Sequence, residues 1–374
     1  MSNRYELRLY DKTLLTIELT PGQLGGYSIK IVSVNGPSSF LPLDLEITDH
    51  GIRRWLGHRI LPRKRAFAQK ILSALDLTMN DIESIINASK LLSLTDSYWV
   101  VPEGFADKFS AHNFYENPFS ESLSCVALTG VSPGKMEPLA SPELTTNGTL
   151  PKAWSFVEND GIYLHKGGSK EPYSEYYATQ IAVAMGLDVV RYDLGLRHGI
   201  LTSRCRLFTD IDTSFVSIGR IIKSSSLKAV IAHYDSLGGA FADAIRDMLI
   251  FDALIINEDR HFGNFGLLRD NHTGKITAPA PLFDHGITLF NYAKPGDFDR
   301  LEEYVKTRAP AYPGTTFEGI CRQLITARQV EKLRKLADFT FTRHPQFNLP
   351  EEHLAAMENY LRRRASELID LAQI

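Results

Sequence analysis

The chain has 374 residues, with 41 basic and 44 acidic side chains, a formal charge of −3, 44% apolar and 23% charged residues. At roughly 150 residues per domain this length predicts two or three packed units, and so many apolar residues with so little net charge exclude a disordered chain. The near-neutral, slightly acidic balance also excludes a protein that grips nucleic acid through its overall charge.

Residues 1–50 alternate apolar and polar positions in YELRLYD, TLLTIELT and YSIKIVSV, with Pro21-Gly22 and Gly25-Gly26 between runs, which predicts a small sheet of strands and hairpins. The basic run Arg53, Arg54, Arg59, Arg63, Lys64 and Arg65 around Trp55 reads as a solvated face beside a helix start. A helical period follows in AFAQKILSAL at 66–75, and Thr78 is a candidate N-cap for NDIESIINAS. The segment 95–135, rich in aromatic, Asn, Pro and Gly residues, shows no period and is expected to be an irregular connection, with the aromatic run 105–119 packing between two parts. Residues 153–166 read as two strands around Asn159-Asp160-Gly161, a strong hairpin signal. Pro172 and Ser174 open a helix that stops at Gly186, VVRYDLGL and ILTSRCRLF read as strands, and from 228 the chain is mainly helical apart from a loop-rich stretch at 257–300.

Cys125, Cys205 and Cys321 form no CxxC pair, so neither a disulfide framework nor a zinc knuckle is predicted, and a reducing compartment fits. The opening residues lack a secretory h-region. The longest apolar run, MLIFDALII at 248–256, is too short to span a bilayer and carries Asp252. A cytoplasmic protein is expected, or one delivered by a non-classical route that the sequence does not display.

The chemistry concentrates in NEDRHFGNFGLL at 257–268 and PLFDHG at 281–286. Asp259, Asn264 five positions on, and Asp284 on an expected next strand form the arrangement that phosphoryl transfer uses: the first Asp accepts the attacking hydroxyl's proton, while Asn and the second Asp hold Mg²⁺ on nucleotide phosphates. The plain structural alternative is an ion pair of Asp259 with Arg260 at a helix end. Upstream, Lys166 closes a strand and Glu175 stands early in the next helix, a spacing that allows an ion pair aiming the ammonium at phosphates. TTNGTLPK at 145–152 offers a turn whose backbone amides can approach phosphate oxygens, without the spacing of a Walker A loop.

TTNGTLPKAW, YLHKGG, SEYYATQIA, NEDRHFGN and LFDHG, in this order, resemble the HipA-like serine/threonine kinases, bacterial proteins several of which are toxins of toxin–antitoxin pairs. The resemblance runs from about 140 to the carboxyl end. It implies an α+β, two-lobed protein-kinase/lipid-kinase-like fold, divided as 1–135 (small sheet, two helices and a connection), 136–225 (strand-rich lobe with the phosphate loop) and 226–374 (helical lobe). By position it implies Asp259 as catalytic base with His261 ordering its loop, Asn264 and Asp284 as Mg²⁺ ligands, and Lys166 with Glu175 at the ATP phosphates. Thr145, Thr146, Asn147 and Gly148 would form the phosphate turn, and Arg206 and Phe208 would flank the adenine hinge. Thr145 stands in the register of an autophosphorylated serine. The implied partners are a protein substrate with a Ser/Thr acceptor and a small DNA-binding antitoxin-like protein, with no nucleic-acid or membrane contact by the chain itself. A silent binding module of the same fold and a metal-dependent phosphohydrolase using Asp259, His261, Asn264 and Asp284 are the competing readings.

Overall fold

A computed structural model describes residues 3–21, 27–79, 81–134 and 140–372. The expected turn residues Gly22, Gly25 and Gly26 lie outside them. The alternating amino end forms β1 (Arg4–Leu9), β2 (Lys12–Pro21) and β3 (Tyr27–Val34), which bury Tyr5, Leu7, Leu15, Ile17 and Leu19. Helices α1 (Asp49–His58), α2 (Ala68–Ser73) and α3 (Ile82–Ser89) add Ile52, Trp55, Leu56, Ile71, Ile85 and Ile86 to the same core. The N-cap of α3 is Asp81, whose carboxylate accepts from Ser84 N at 3.0 Å, rather than Thr78. Only Asp81 directly precedes the first helical residue, where a side-chain oxygen reaches the free amides.

The segment 95–135 is not irregular throughout. It holds β4 (Tyr98–Pro102), which pairs antiparallel with β1 to complete the order β3-β2-β1-β4, and α4 (Glu121–Thr129), capped by Ser120 and ended by Gly130 at φ +70°. YWVVP has four fully buried residues in succession, so its two-sided burial erases the alternation that marks an exposed strand. The basic run around Trp55 is likewise not one solvated face. Arg59 and Arg65 are each 3% exposed and pair with Asp96 and Glu143, both at 2.6 Å.

The Asn159-Asp160-Gly161 hairpin joins β5 (Lys152–Val157) to β6 (Gly161–Gly167), with Asn159 at φ +60°. Helix α5 (Glu171–Met185) ends at left-handed Gly186, and β7 (Tyr192–Arg197) and β8 (Ile200–Arg206) complete a second antiparallel sheet in the order β5-β6-β8-β7. The third sheet, β11-β10-β9, consists of β9 (Thr213–Ser217), β10 (Gly266–Asp270) and β11 (Ile276–Pro279), so the stretch 257–300 is less loop-rich than its sequence reads. Between and after these strands come α6 (Ile218–Ile221), α7 (Leu227–Leu237), α8 (Gly239–Ile255), α9 (Leu301–Lys306), α10 (Phe317–Leu324), α11 (Ala327–Arg334) and α12 (Glu351–Asp370). The last two turns of α8 are buried on every side and form the centre of the helical core, which explains the continuous apolar run there. No helix among the described residues is long and apolar enough to cross a membrane.

Candidate active site

The β5–β6 register sets Lys152 opposite Lys166, so two lysines share one face of the sheet. Lys166 Nζ bonds Glu175 Oε1 of α5 at 2.5 Å and Asp284 Oδ1 at 2.8 Å, and Glu175 Oε2 accepts from Ser203 Oγ. The spacing of Lys166 and Glu175 thus produces the ion pair that a strand followed by a helix allows. Burial disfavours the Lys166 ammonium, but Asp284 and Glu175 outweigh it and hold the lysine cationic, well above its ordinary range. Burial likewise disfavours the Asp284 carboxylate, and Lys166 and Lys152 nonetheless keep it well below the usual carboxylate range.

Lys152 makes no ion pair among the described residues, although the charges of Asp284 and Glu175 favour its ammonium. It is 9% exposed, and burial, with Lys166 beside it, pushes its ammonium down to about 8. Its Nζ lies against Gly148, where a Cβ would stand 2.1 Å from the nitrogen, and Gly148 sits at φ +102°. The turn 145–152 therefore needs glycine at this point both for conformation and for space. The backbone N–H groups of Thr146, Asn147, Gly148, Thr149 and Leu150 donate to no acceptor among the described residues. Amides without an internal acceptor beside an ammonium group are a donor arrangement suited to an anion. The two threonine hydroxyls face inward instead: Thr145 Oγ1 donates to Leu92 O at 2.6 Å, and Thr146 Oγ1 donates to Pro142 O while accepting from Trp154 Nε1. Asn147 reaches His58 O at 3.4 Å.

Asp259, His261 and Asn264 lie in the tight loop after α8. His261 N and Asn264 Nδ2 both donate to Asp259 O, at 2.8 and 3.0 Å, and His261 Nδ1 accepts from Gly263 N. This leaves Asn264 Oδ1 without a donor among the described residues. Burial raises the Asp259 carboxyl above its ordinary range; nearby Asp284 adds to the rise, while His261, Arg260 and Lys64 oppose it. Asp284 is not on a strand. It follows the isolated bridge Val189–Leu282 and takes a left-handed φ of +60°, leaving its side chain 34% exposed.

Arg260 does not pair with Asp259. Its guanidinium is buried against Asp252 of α8, with Nε–Oδ2 at 3.0 Å, and donates to Asn264 O at 2.9 Å, Phe283 O at 2.6 Å and His285 Nδ1 at 3.0 Å. One side chain thus ties the 259–264 loop to the 283–285 loop. Because Arg260 donates to Nδ1, the neutral His285 ring carries its proton on Nε2; burial and then Arg260 hold this histidine well below its usual range.

Of the expected hinge residues, Phe208 packs at 5.4 Å on Phe283 beside the buried Val190, Tyr192 and Cys205, an apolar shelf next to Lys166. Burial pushes the Cys205 thiol up to about 12, so it acts as a small hydrophobe there. Arg206 turns elsewhere and donates to Asp160 O in the hairpin turn. The structure thus brings Lys166, Glu175 and Asp284 into direct contact and places Asp259 and Asn264 beside them, while Arg206 and the Thr145 and Thr146 hydroxyls face away. Sequence reasoning placed Lys152 in the phosphate turn without setting it opposite Lys166, and it missed the inward role of Arg260. The first closes the TTNGTLPK segment directly opposite Lys166 across a recognisable hairpin. The second was signalled by Asp252, an acid inside an apolar helix that needs a buried partner.

No protein-family model matches the chain. A stretch of 135 residues is 27% identical to the serine/threonine-protein kinase CtkA of Helicobacter pylori (strain J99), a match spanning 32% of this chain and 41% of that protein's length. Among solved structures, HipA of Shewanella oneidensis MR-1, in complex with HipB and its operator DNA, superposes with a TM-score of 0.55 at 14% identity over 97% of both chains. The crystal structure of Helicobacter pylori CtkA gives a TM-score of 0.48 at 21% identity, covering 59% of this chain and 92% of that one. The resemblance to HipA-like kinases and the two-lobed α+β fold class are borne out.

Proposed function

We propose that the chain is an ATP- and Mg²⁺-dependent serine/threonine protein kinase of the HipA type, transferring a γ-phosphoryl group to a Ser or Thr hydroxyl of a protein substrate. The observation that carries this reading is the Lys166 ammonium bonded at once to Glu175 and Asp284, opposite Lys152, whose ammonium lies against a turn with five amides that donate to no acceptor among the described residues. In this reading the amides of 146–150 with Lys152 and Lys166 receive the phosphates, and the shelf of Val190, Tyr192, Cys205 and Phe208 receives adenine. The residues fit Mg²⁺: Asn264 Oδ1 is open, Asp284 is a third exposed, and an ion that shares its coordination with phosphates needs few protein ligands. The ion would neutralise charge on the phosphates, and Asp259 would accept the acceptor hydroxyl's proton. Residues 1–135, 136–225 and 226–374 would act as an added amino-terminal unit and the two kinase lobes. A small DNA-binding antitoxin-like protein is the proposed regulatory partner.

Incubation with γ-labelled ATP and Mg²⁺ tests this. Wild-type protein is expected to label serine or threonine in itself or in a cell lysate, and Asp284→Asn to lose Mg²⁺-dependent nucleotide affinity by about tenfold or more, since removing one charged ligand weakens a two-ligand site. ATP binding with no label on any protein would favour the silent module instead. An Asp284→Asn protein whose affinity still responds to Mg²⁺ like the wild type would remove Asp284 from the metal site.

Lys152 gives a prediction of opposite signs. Burial lowers its folded-state value to about 8 from 10.5, so the fold bears a penalty that is full below pH 8 and fades as pH rises toward 10.5. Lys152→Met is expected to stabilise the fold at pH 7, by up to roughly 3 kcal/mol, while weakening Mg·ATP binding. The stability gap should narrow between pH 8 and 10.5 in scanning calorimetry. A variant less stable than wild type at pH 7 would refute this assignment.

A further inference from the structure

Beyond these residues, a buried and multiply bonded side chain reaches the 145–152 turn from the amino-terminal unit. Arg65 lies between α1 and α2, is 3% exposed, and its Nη2 pairs at 2.6 Å with Glu143, itself fully buried. Its other bonds go to backbone carbonyls: Nη1 donates to Glu143 O at 2.7 Å and to Thr146 O at 3.2 Å, and Nη2 donates to Lys152 O at 2.8 Å. These three oxygens bracket the anion turn from end to end. The neighbouring Ala66 N donates to Thr149 O at 2.9 Å, and Leu61 N to Leu144 O at 2.9 Å.

The planar trans peptide gives these contacts a directional consequence. The C=O and N–H of one peptide unit point opposite ways. With Thr146 O turned to Arg65, the Asn147 N–H faces away from the amino-terminal unit; with Thr149 O turned to Ala66 N, the Leu150 N–H does the same. Both amides are among those without a protein acceptor. Carbonyl oxygens facing an anion would repel it, and the 65–66 segment holds them on the other side.

We propose that Arg65 is a positioning residue for phosphate binding: from the amino-terminal unit, it orients the peptide planes of the 145–152 turn so that their N–H groups face the nucleotide's phosphates. This rests on the reading of that turn as the ATP-phosphate site. It differs from a purely structural stitch, which would hold the unit in place without distinguishing the phosphates from the rest of the nucleotide.

The test is titration of the full chain with Mg·ATP and, separately, with adenosine. Arg65→Lys keeps the charge but loses the fork that reaches three carbonyls. It is expected to weaken Mg·ATP by about tenfold or more while leaving adenosine affinity within about twofold. The double variant Arg65→Gln/Glu143→Gln removes both charges together, so neither is left buried and unpaired; it keeps the result readable should Arg65→Lys not fold, and the same selective loss is expected of it. Equal weakening of both ligands, or unchanged Mg·ATP affinity in a folded variant, overturns the positioning role alone. A wild-type protein that binds adenosine but gains nothing from the phosphates overturns the site reading, and this inference with it.

Discussion

Asp259→Asn is expected to lower phosphoryl transfer by about 10²–10⁴, the range for loss of a positioned general base, while Mg·ATP affinity stays within a few-fold. The substitution is clean because the loop is built on this residue's backbone. Its carbonyl receives His261 N and Asn264 Nδ2, and its own N–H donates to Asn257 Oδ1 at 3.0 Å. Neither carboxylate oxygen accepts a bond from a described residue, so both are available to an incoming hydroxyl, and an amide of the same shape disturbs no internal contact. Burial, with Asp284 adding its charge, raises this carboxyl above the ordinary aspartate range. The rate should therefore fall with decreasing pH on an acidic limb that lies above that of an unperturbed aspartate, and Asp259→Asn should flatten that limb. Single-turnover measurements across pH settle it: a variant within about threefold of wild type would falsify the role.

Much of this site follows from local pattern. The hairpin at Asn159-Asp160-Gly161 fixes the ladder that carries Lys166, and the helix opened by Pro172 places Glu175 within 2.5 Å of it, so strand, turn and helix signals together suffice for that pair. The overlooked residues depend on contacts between segments far apart in the chain. Arg65 meets carbonyls some eighty positions away, and local reading of a basic run favours water as its partner. β4 escaped because burial on both faces removes alternation, and α4 because a nine-residue helix offers little period to read. Asp284 was expected on a strand, but its left-handed backbone turns the carboxylate toward Lys166, a conformation that side-chain pattern does not encode. For Arg260, adjacency to Asp259 suggested one pair, whereas the loop turns the guanidinium back onto α8.

That turn makes the loss of Arg260 costly to the fold. Arg260→Met removes the partner of a buried carboxylate, and breaking such a pair typically costs about 3–5 kcal/mol because the remaining charge stays desolvated. The rise in the Asp252 carboxyl imposed by burial, which Arg260 only partly offsets, points the same way. Asp252→Leu/Arg260→Met relieves that charge and should recover stability to within about 1–2 kcal/mol of wild type in denaturant unfolding, exposing a large coupling energy in the double-mutant cycle. Activity should not return with it. Arg260 also donates to Asn264 O and Phe283 O, and no apolar side chain can hold those two carbonyls together. Without that tie, the loop bearing Asp259 and Asn264 is free to shift relative to Asp284, and displacements of about 1 Å are enough to cost roughly 10²-fold in a positioned reaction. A double variant that regains both stability and phosphoryl transfer would reduce Arg260 to a structural ion pair. One that regains stability alone identifies it as the brace that sets the distance between Asp259 and Asp284.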